Sequence, residues 1–322
     1  MSEPLLQVKG LYKHYPVPRK SLLAKRSYVK AVNDVTFEIE KGEIFGLVGE
    51  SGCGKSTLGQ LLVQLHPLTG GSLTFQGQDI THVKGKEQKA LRRSIQMIFQ
   101  DPFSSLNPKK KIRAILEEPL LIHGIGDKAD RLAAVKEMLS HVGLNDSYLE
   151  RYPHELSGGQ RQRIGIACAL ILRPEFIVAD EALSALDVSV QAQILNLLVE
   201  LQQKFQLTML FISHDLNVVQ YISSRVGVMY LGELMEIAAA EQFGEKPLHP
   251  YSQALLYSAP DMERQERANP YLIRGEVPSP VDLPSGCAFH NRCPFATALC
   301  KKVKPLLQQV ADNHFVRCHQ AF

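Results

Sequence analysis

The nine residues GESGCGKST at 49–57 constrain this chain more than any other stretch. They fit the spacing G-x-x-x-x-G-K-S/T, with Gly49, Gly54, Lys55 and Ser56 at the defining positions. Before them stands EIFGLVG, which reads as a buried strand, and after them TLGQLLVQL, which reads as an apolar helix. That context turns a glycine-rich run into a phosphate loop. Glycines let the backbone turn tightly enough for the N–H groups of Ser51, Gly52, Cys53, Gly54, Ser56 and Thr57 to surround phosphate oxygens. The helix start adds a favourable field. Lys55 is then expected to reach the β and γ phosphates of a nucleotide, and the Ser56 hydroxyl to ligate Mg2+. Cys53 serves through its backbone N–H and carries no redox expectation.

A second element follows about 120 residues downstream. FIVAD at 176–180 and MLFISH at 209–214 are short continuous apolar runs, as parallel strands buried on both faces require. Between them Val190, Ile194, Leu197, Leu198, Leu201 and Phe205 form one apolar helical stripe. Strand, helix and strand at this spacing make a right-handed crossover, so the core is α/β. Asp180 ends the first of these strands and is expected to hold Mg2+. Glu181 beside it is placed to polarise a water that attacks the γ phosphate. From 102 to about 155 no strand-like run intervenes, and Leu132, Val135, Leu139 and Val142 recur at steps of three and four. This predicts a helical insertion.

LSGGQ at 156–160 precedes another apolar helix, so Ser157, Gly158, Gly159 and Gln160 offer a second anion site at a helix start. One nucleotide does not need two such sites in one chain, which implies that a second molecule supplies the complement. With these residues in this order the sequence resembles the ATP-binding-cassette (ABC) ATPases. The resemblance implies a P-loop NTPase core of that type with a helical subdomain. It implies ATP and Mg2+ as ligands and a dimer in which each nucleotide lies between the Lys55 side of one subunit and the Ser157 side of the other. It also assigns further roles. Gln100, after IQMIF, resembles the glutamine that senses Mg2+ and the γ phosphate. Leu186 and Asp187 in SALD resemble the loop lining the dimer seam. His214 in FISHD resembles the histidine that contacts the γ phosphate and orients Glu181. Tyr15 resembles the aromatic that stacks on adenine, although a tyrosine near a first strand also serves simply as packing. Two departures stand out. Ala182 and Leu183 replace the family's proline after the catalytic glutamate, and a looser turn is expected there. Cys168 occupies a position where the family has arginine, with weaker contacts expected around it and Cys168 itself a small packing residue.

Composition sets the outer limits. Of 322 residues 45% are hydrophobic and 21% charged, which excludes disorder and collagen-like repeats. A net charge of +3 is too small for a chain living on nucleic-acid phosphates, so no nucleic-acid partner is expected. No apolar stretch approaches the roughly 18 residues that span a bilayer, and MSEPLLQVKG lacks the layout of a secretory signal. A cytoplasmic protein is expected. Two basic runs, PRKSLLAKRSYVK and Lys109–Lys111, read as solvated loops.

From about residue 246 proline concentrates and periodicity fades, so the expected division is a 1–245 ATP-binding domain, with its helical subdomain at about 102–170, and a loop-rich 246–322 extension. Cys287, Cys293, Cys300 and Cys318 lie within it, separated by five, six and seventeen residues. Four thiolates suit Zn2+ or an iron–sulfur cluster. The lack of a two-residue gap favours iron–sulfur. A metal would also supply folding energy to a tail with little core. His290, His314 and His319 could replace a thiolate but read as solvated loop residues. HPYSQALLYSAP, RGEVPSP and GCAFHNRCPFA resemble the C-terminal region of the ATPases of dipeptide, oligopeptide and nickel importers. This implies a 4Fe-4S cluster and an ATPase powering peptide import. The implied partners are a related but different second ATPase subunit, two integral membrane permease subunits and an extracytoplasmic solute-binding protein. The implied location is the cytoplasmic face of the inner membrane, held there by the permeases. A nickel importer of the same branch, or a non-transport ABC ATPase, is the alternative.

Overall fold

The computed structural model describes residues 3–18, 26–101, 105–184, 186–258, 273 and 275–321. Most of the PRKSLLAKRSYVK insertion, together with Ala259, Pro260, Arg274 and Ala185, lies outside the described residues. The chain forms two compact units. One comprises residues 1–40, 44–81 and 212–322, and the other residues 41–43 and 82–211.

The first unit holds two sheets. Strands β1 (Leu6–Pro16), β2 (Tyr28–Ile39), β4 (Gly70–Phe75) and β5 (Gln78–Asp79) pair in the order β2-β1-β4-β5, antiparallel throughout. The alternation in VTFEIE is realised literally: Val35, Phe37 and Ile39 are buried while Thr36 and Glu38 are exposed. The second sheet contributes β3 (Ile44–Val48), β9 (Arg225–Tyr230), β10 (Glu233–Ala239), β11 (Gln308–Ala311) and β12 (His314–Val316), in the order β11-β12-β10-β9-β3. β3 and β9 run parallel, with Leu47 opposite Gly227. β9 and β10 form an antiparallel hairpin whose two turn residues, Leu231 and Gly232, have φ of 45° and 82°. The helices here are α1 (Lys55–Leu62), α7 (Leu216–Ile222), α8 (Ala240–Glu245), α9 (Pro250–Ser258) and α10 (Ala298–Lys302).

The C-terminal extension belongs to this unit. β12 pairs with β10, Glu236 opposite Val316 and Ile237 opposite Phe315. Tyr251 and Phe289 are almost fully buried. Strand pairing and aromatic burial thus anchor a segment that the sequence marked as loop-rich.

In the second unit, strands β6 (Ile95–Ile98), β7 (Phe176–Asp180) and β8 (Thr208–Ile212) lie in the order β8-β7-β6, with β6 and β7 parallel. Every residue of β7 and β8 is buried, as their apolar sequences require. The helices are α2 (Gly85–Ser94), α3 (Ile112–His123), α4 (Lys128–His141), α5 (Gly158–Leu170) and α6 (Val188–Phe205). α4 opens with a capping box, Asp127 accepting from Ala129 and Asp130 N–H, and buries Val135, Met138 and Leu139. α6 buries Ile194, Leu197, Leu198 and Leu201 of the stripe read from the sequence and Leu195 besides, while Val190 and Phe205 are half-buried. No helix among the described residues is long and apolar enough to cross a membrane.

Candidate active site

In the first unit the phosphate loop is held by backbone. Gly54 caps α1 at φ 107°, and a Cβ there would lie 2.0 Å from the Ala31 carbonyl oxygen. Gly49 has φ 154°, and its Cβ would meet the Met229 carbonyl oxygen at 2.1 Å. Glycine is therefore required at both positions by conformation and by space. The Lys55 side chain is buried, and its Nζ donates to the carbonyls of Gly49 at 2.8 Å and Glu50 at 3.2 Å. The Cys53 N–H donates to the same Glu50 carbonyl, and the Cys53 carbonyl accepts from Gly232 N–H. Burial pushes the Cys53 thiol above its ordinary range, consistent with a neutral filler. Ser56 and Thr57 lie in the first turn of α1. Tyr15 on β1 hydrogen-bonds the Thr57 side chain, and the Lys13 ammonium sits 4.8 Å from its ring centre. The structure thus brings Tyr15 to the phosphate loop. His214 is exposed on the turn after β8, fixed by Ser213 N–H donating to the Leu47 carbonyl and by Asp215 capping α7.

In the second unit Asp180 ends β7 and is buried, and Glu181 follows with φ 45°, an uncommon conformation for a residue with a side chain. The Gln100 Nε2 donates to Glu181 Oε2 at 2.8 Å. The turn after Glu181 is closed without proline. Ser184 donates to the Glu181 carbonyl through its N–H at 3.1 Å and its hydroxyl at 3.0 Å. The Gln191 amide reaches the carbonyls of Leu183 and Leu186, while Ala182 and Leu183 are buried. Four hydrogen bonds thus close the turn in which a looser arrangement was expected from the missing proline.

Ser157 caps α5 reciprocally with Gln160: the Gln160 N–H reaches the Ser157 hydroxyl at 3.3 Å, and the Ser157 N–H reaches Gln160 Oε1 at 3.0 Å. Gly158 faces Leu186, and a Cβ on Gly159 would stand 2.6 Å from Val190 Cγ1. Asp187 takes the N-cap position of α6. Burial pushes the Cys168 thiol up to about 11, so it packs as a neutral group. The basic run is partly paired, Lys110 with Glu118 and Lys111 with Glu150, each at 2.7 Å.

In the tail the four cysteines come together. Cys287, Cys293, Cys300 and Cys318 are near neighbours, since Cys287 feels the field of the other three. Yet no group of three or more His, Cys, Asp or Glu among the described residues is arranged to hold a metal ion. Burial pushes the Cys287 thiol up to about 12 and that of Cys293 up to about 11, so both hold their protons near neutral pH. Of the histidines His314 is buried, whereas His290 and His319 are half-buried. His314 bonds the fully buried Glu236 at 2.8 Å, and the His290 and His319 rings contact the carbonyls of Cys287 and Val303. Glu236 also accepts from the N–H groups of Leu248 and His249, and His249 Nδ1 accepts from Tyr251 N–H. Desolvation pulls His249 down to about 4. Sequence reading missed this network, along with Glu50, Tyr251 and Arg292.

The pattern of the family described as ABC transporter matches residues 32–184, and that of the oligopeptide/dipeptide transporter C-terminal region matches residues 235–300. The chain is 50% identical over 320 residues to the oligopeptide transport ATP-binding protein AppF of Bacillus subtilis (strain 168), covering 98% of this chain and 97% of that protein. It is 53% identical over 319 residues to the putative oligopeptide transport ATP-binding protein YkfD of the same organism, with 98% and 95% covered. Among solved structures it is similar to the dimeric ATP-binding cassette MJ0796 in a post-hydrolysis state bound to ADP and Pi. There the TM-score is 0.64 at 28% identity, covering 73% of this chain and 98% of the other. A phosphate loop on a strand–helix junction, an Asp-Glu pair ending a buried strand, a capped LSGGQ helix and near full-length similarity agree: the chain belongs to the ABC transporter ATPases, in the branch that carries the oligopeptide/dipeptide C-terminal region.

Proposed function

We propose that this ABC ATPase powers the import of dipeptides or oligopeptides through separate membrane permeases, acting at the cytoplasmic face of the membrane. The observation that carries the peptide assignment is the near full-length similarity to oligopeptide transport ATP-binding proteins, extending through the C-terminal region. Two such cassettes, one a related chain, would close on two ATP molecules, and a solute-binding protein would deliver the cargo.

The residues take these roles. The N–H groups of 51–57 and the Lys55 ammonium bind the phosphates, and Tyr15 flanks the base. Ser157 and the first-turn N–H groups of α5 face the γ phosphate bound by the partner cassette. Oxygen donors suit a hard cation, and the Ser56 hydroxyl, Gln100 and the buried Asp180 carboxylate would hold Mg2+, which neutralises charge on the β and γ phosphates. Glu181 takes a proton from the attacking water, Gln100 orients its carboxylate, and His214 contacts the γ phosphate. Asp187 lines the dimer seam. The 246–322 segment is an extension appended to the ATP-binding core. Its cysteines are the place to seek a 4Fe-4S cluster or Zn2+. Their mutual proximity supports that reading, as do the backbone N–H groups of Phe289, Phe295 and Gln320 directed at Cys287, Cys293 and Cys318. Iron, sulfide and zinc analysis of anaerobically purified protein tests it.

The test of the transport reading is co-purification with integral membrane subunits, followed by peptide uptake into vesicles carrying the complex. Uptake that requires ATP and stops on Glu181→Gln supports it. An ATPase that never associates with membrane subunits refutes it.

A further inference from the structure

The second residue of the phosphate loop is gripped at two points by the C-terminal extension. Both terminal nitrogens of Arg292 donate to the Glu50 carboxylate, at 2.6 Å and 2.9 Å, as a bidentate fork. The Glu50 N–H donates to the Tyr251 hydroxyl at 2.9 Å. The fork is largely shielded from water, the Arg292 side chain being 8% exposed.

Each grip is itself anchored. Arg292 lies one residue before Cys293, and its N–H donates to the Phe289 carbonyl at 3.0 Å. Phe289 packs against Tyr230 and Tyr251 with ring centres 5.3 Å and 5.2 Å apart, and Tyr230 packs on Tyr251 at 4.8 Å. Tyr230 ends β9, so the cluster ties the extension to the central sheet of this unit.

The remaining polar group of Glu50 faces the nucleotide machinery. Its carbonyl accepts from Lys55 Nζ and from Cys53 N–H. A shift of Glu50 therefore moves both the lysine that meets phosphate and the turn that presents the N–H groups.

We infer that Arg292 and Tyr251 are positioning residues for ATP binding: the C-terminal extension sets the geometry of the phosphate loop through Glu50. The inference rests on the reading of residues 49–57 as the ATP site. It gives the extension a role in the ATPase step itself.

The experiment compares ATP affinity by titration calorimetry, and KM and kcat for ATP hydrolysis, in the full chain. The variants are Arg292→Ala, Arg292→Lys, Glu50→Gln, the Arg292→Ala/Glu50→Gln double variant, and Tyr251→Phe, with Lys55→Ala as control. Misplacement of a binding group by an ångström costs on the order of 10- to 100-fold in kcat/KM. Arg292→Ala and Glu50→Gln are each expected to raise Kd and KM for ATP by about tenfold or more with little change in kcat. The double variant should be no weaker than the worse single one, because both break the same contact. Tyr251→Phe should give a smaller rise, and Arg292→Lys should recover only part of the affinity because an ammonium cannot form the fork. Should Arg292→Ala fail to fold, the near-isosteric Glu50→Gln and Tyr251→Phe decide the matter. Folded variants with unchanged ATP affinity overturn the inference, as do additive single effects. If Lys55→Ala also leaves ATP affinity unchanged, it is the placement of ATP at 49–57 that fails.

Discussion

Gln100 donates from its side-chain amide to the Glu181 carboxylate at 2.8 Å, joining two residues 81 positions apart. The bond fixes the direction of one Glu181 carboxylate oxygen. Glu181 sits in the left-handed region at φ 45°, so the side chain leaves β7 at an angle that ordinary strand geometry would not give. Loss of a hydrogen bond to a charged group costs about 1.5–3 kcal/mol, less where it is exposed. Gln100→Ala is accordingly expected to lower kcat about tenfold with a small change in KM for ATP, as read by steady-state kinetics. An unchanged kcat would remove Gln100 from the account.

The turn behind Glu181 makes its own prediction. Ser184 closes it by donating twice to the Glu181 carbonyl, in place of the family's proline. Ser184→Ala removes the hydroxyl donor and should cost about 1 kcal/mol of stability, with a matching loss of kcat as Glu181 gains freedom. Ser184→Pro would lose the N–H donor as well and should do worse. Thermal melts and kinetics on the two variants check the order.

The start of the LSGGQ helix is tightly packed. A methyl on Gly159 would stand 2.6 Å from Val190 Cγ1, and valine has little rotamer freedom in a helix. Gly159→Ala should destabilise the protein by about 1–3 kcal/mol, and Val190→Ala in the same chain should restore most of it. Urea unfolding of the single and double variants measures this directly.

Acid should loosen the extension. Desolvation lowers His249 from 6.5 to about 4, so the folded protein keeps the ring neutral where the unfolded chain binds a proton. The stabilisation is full above about pH 6.5 and is lost as pH falls from there towards 4. At pH 5 the loss is about 2 kcal/mol from this group. Unfolding free energies of the wild type and His249→Gln between pH 8 and pH 5 should converge as pH falls. Parallel curves would contradict the assignment.

How much of this was legible in the sequence follows from the range of each contact. The phosphate loop, β7 and the helix stripe on α6 are encoded within a dozen or so neighbouring residues, and spacing alone reveals them. VTFEIE declares its exposed face by alternation. The hairpin β9–β10 does not: burial along nearly its whole length erases the period-two signal. Glu50 occupies an unrestricted position of its motif, and its partner Arg292 lies 242 residues away. No local pattern links them. The four cysteines are the opposite case. They lie close in sequence and the fold brings them near one another, but no spacing tells which ion or cluster four thiols would take.

The central claim is that Glu181 is the base of an ATP hydrolysis cycle driven at residues 49–57. The most direct measurement is ATP binding and ATP turnover on the same preparation of Glu181→Gln and wild type. The account predicts ATP affinity within about twofold of wild type and turnover reduced by about 100-fold or more, the contribution expected of a general base. Turnover unchanged in the variant, with ATP still bound, would contradict it.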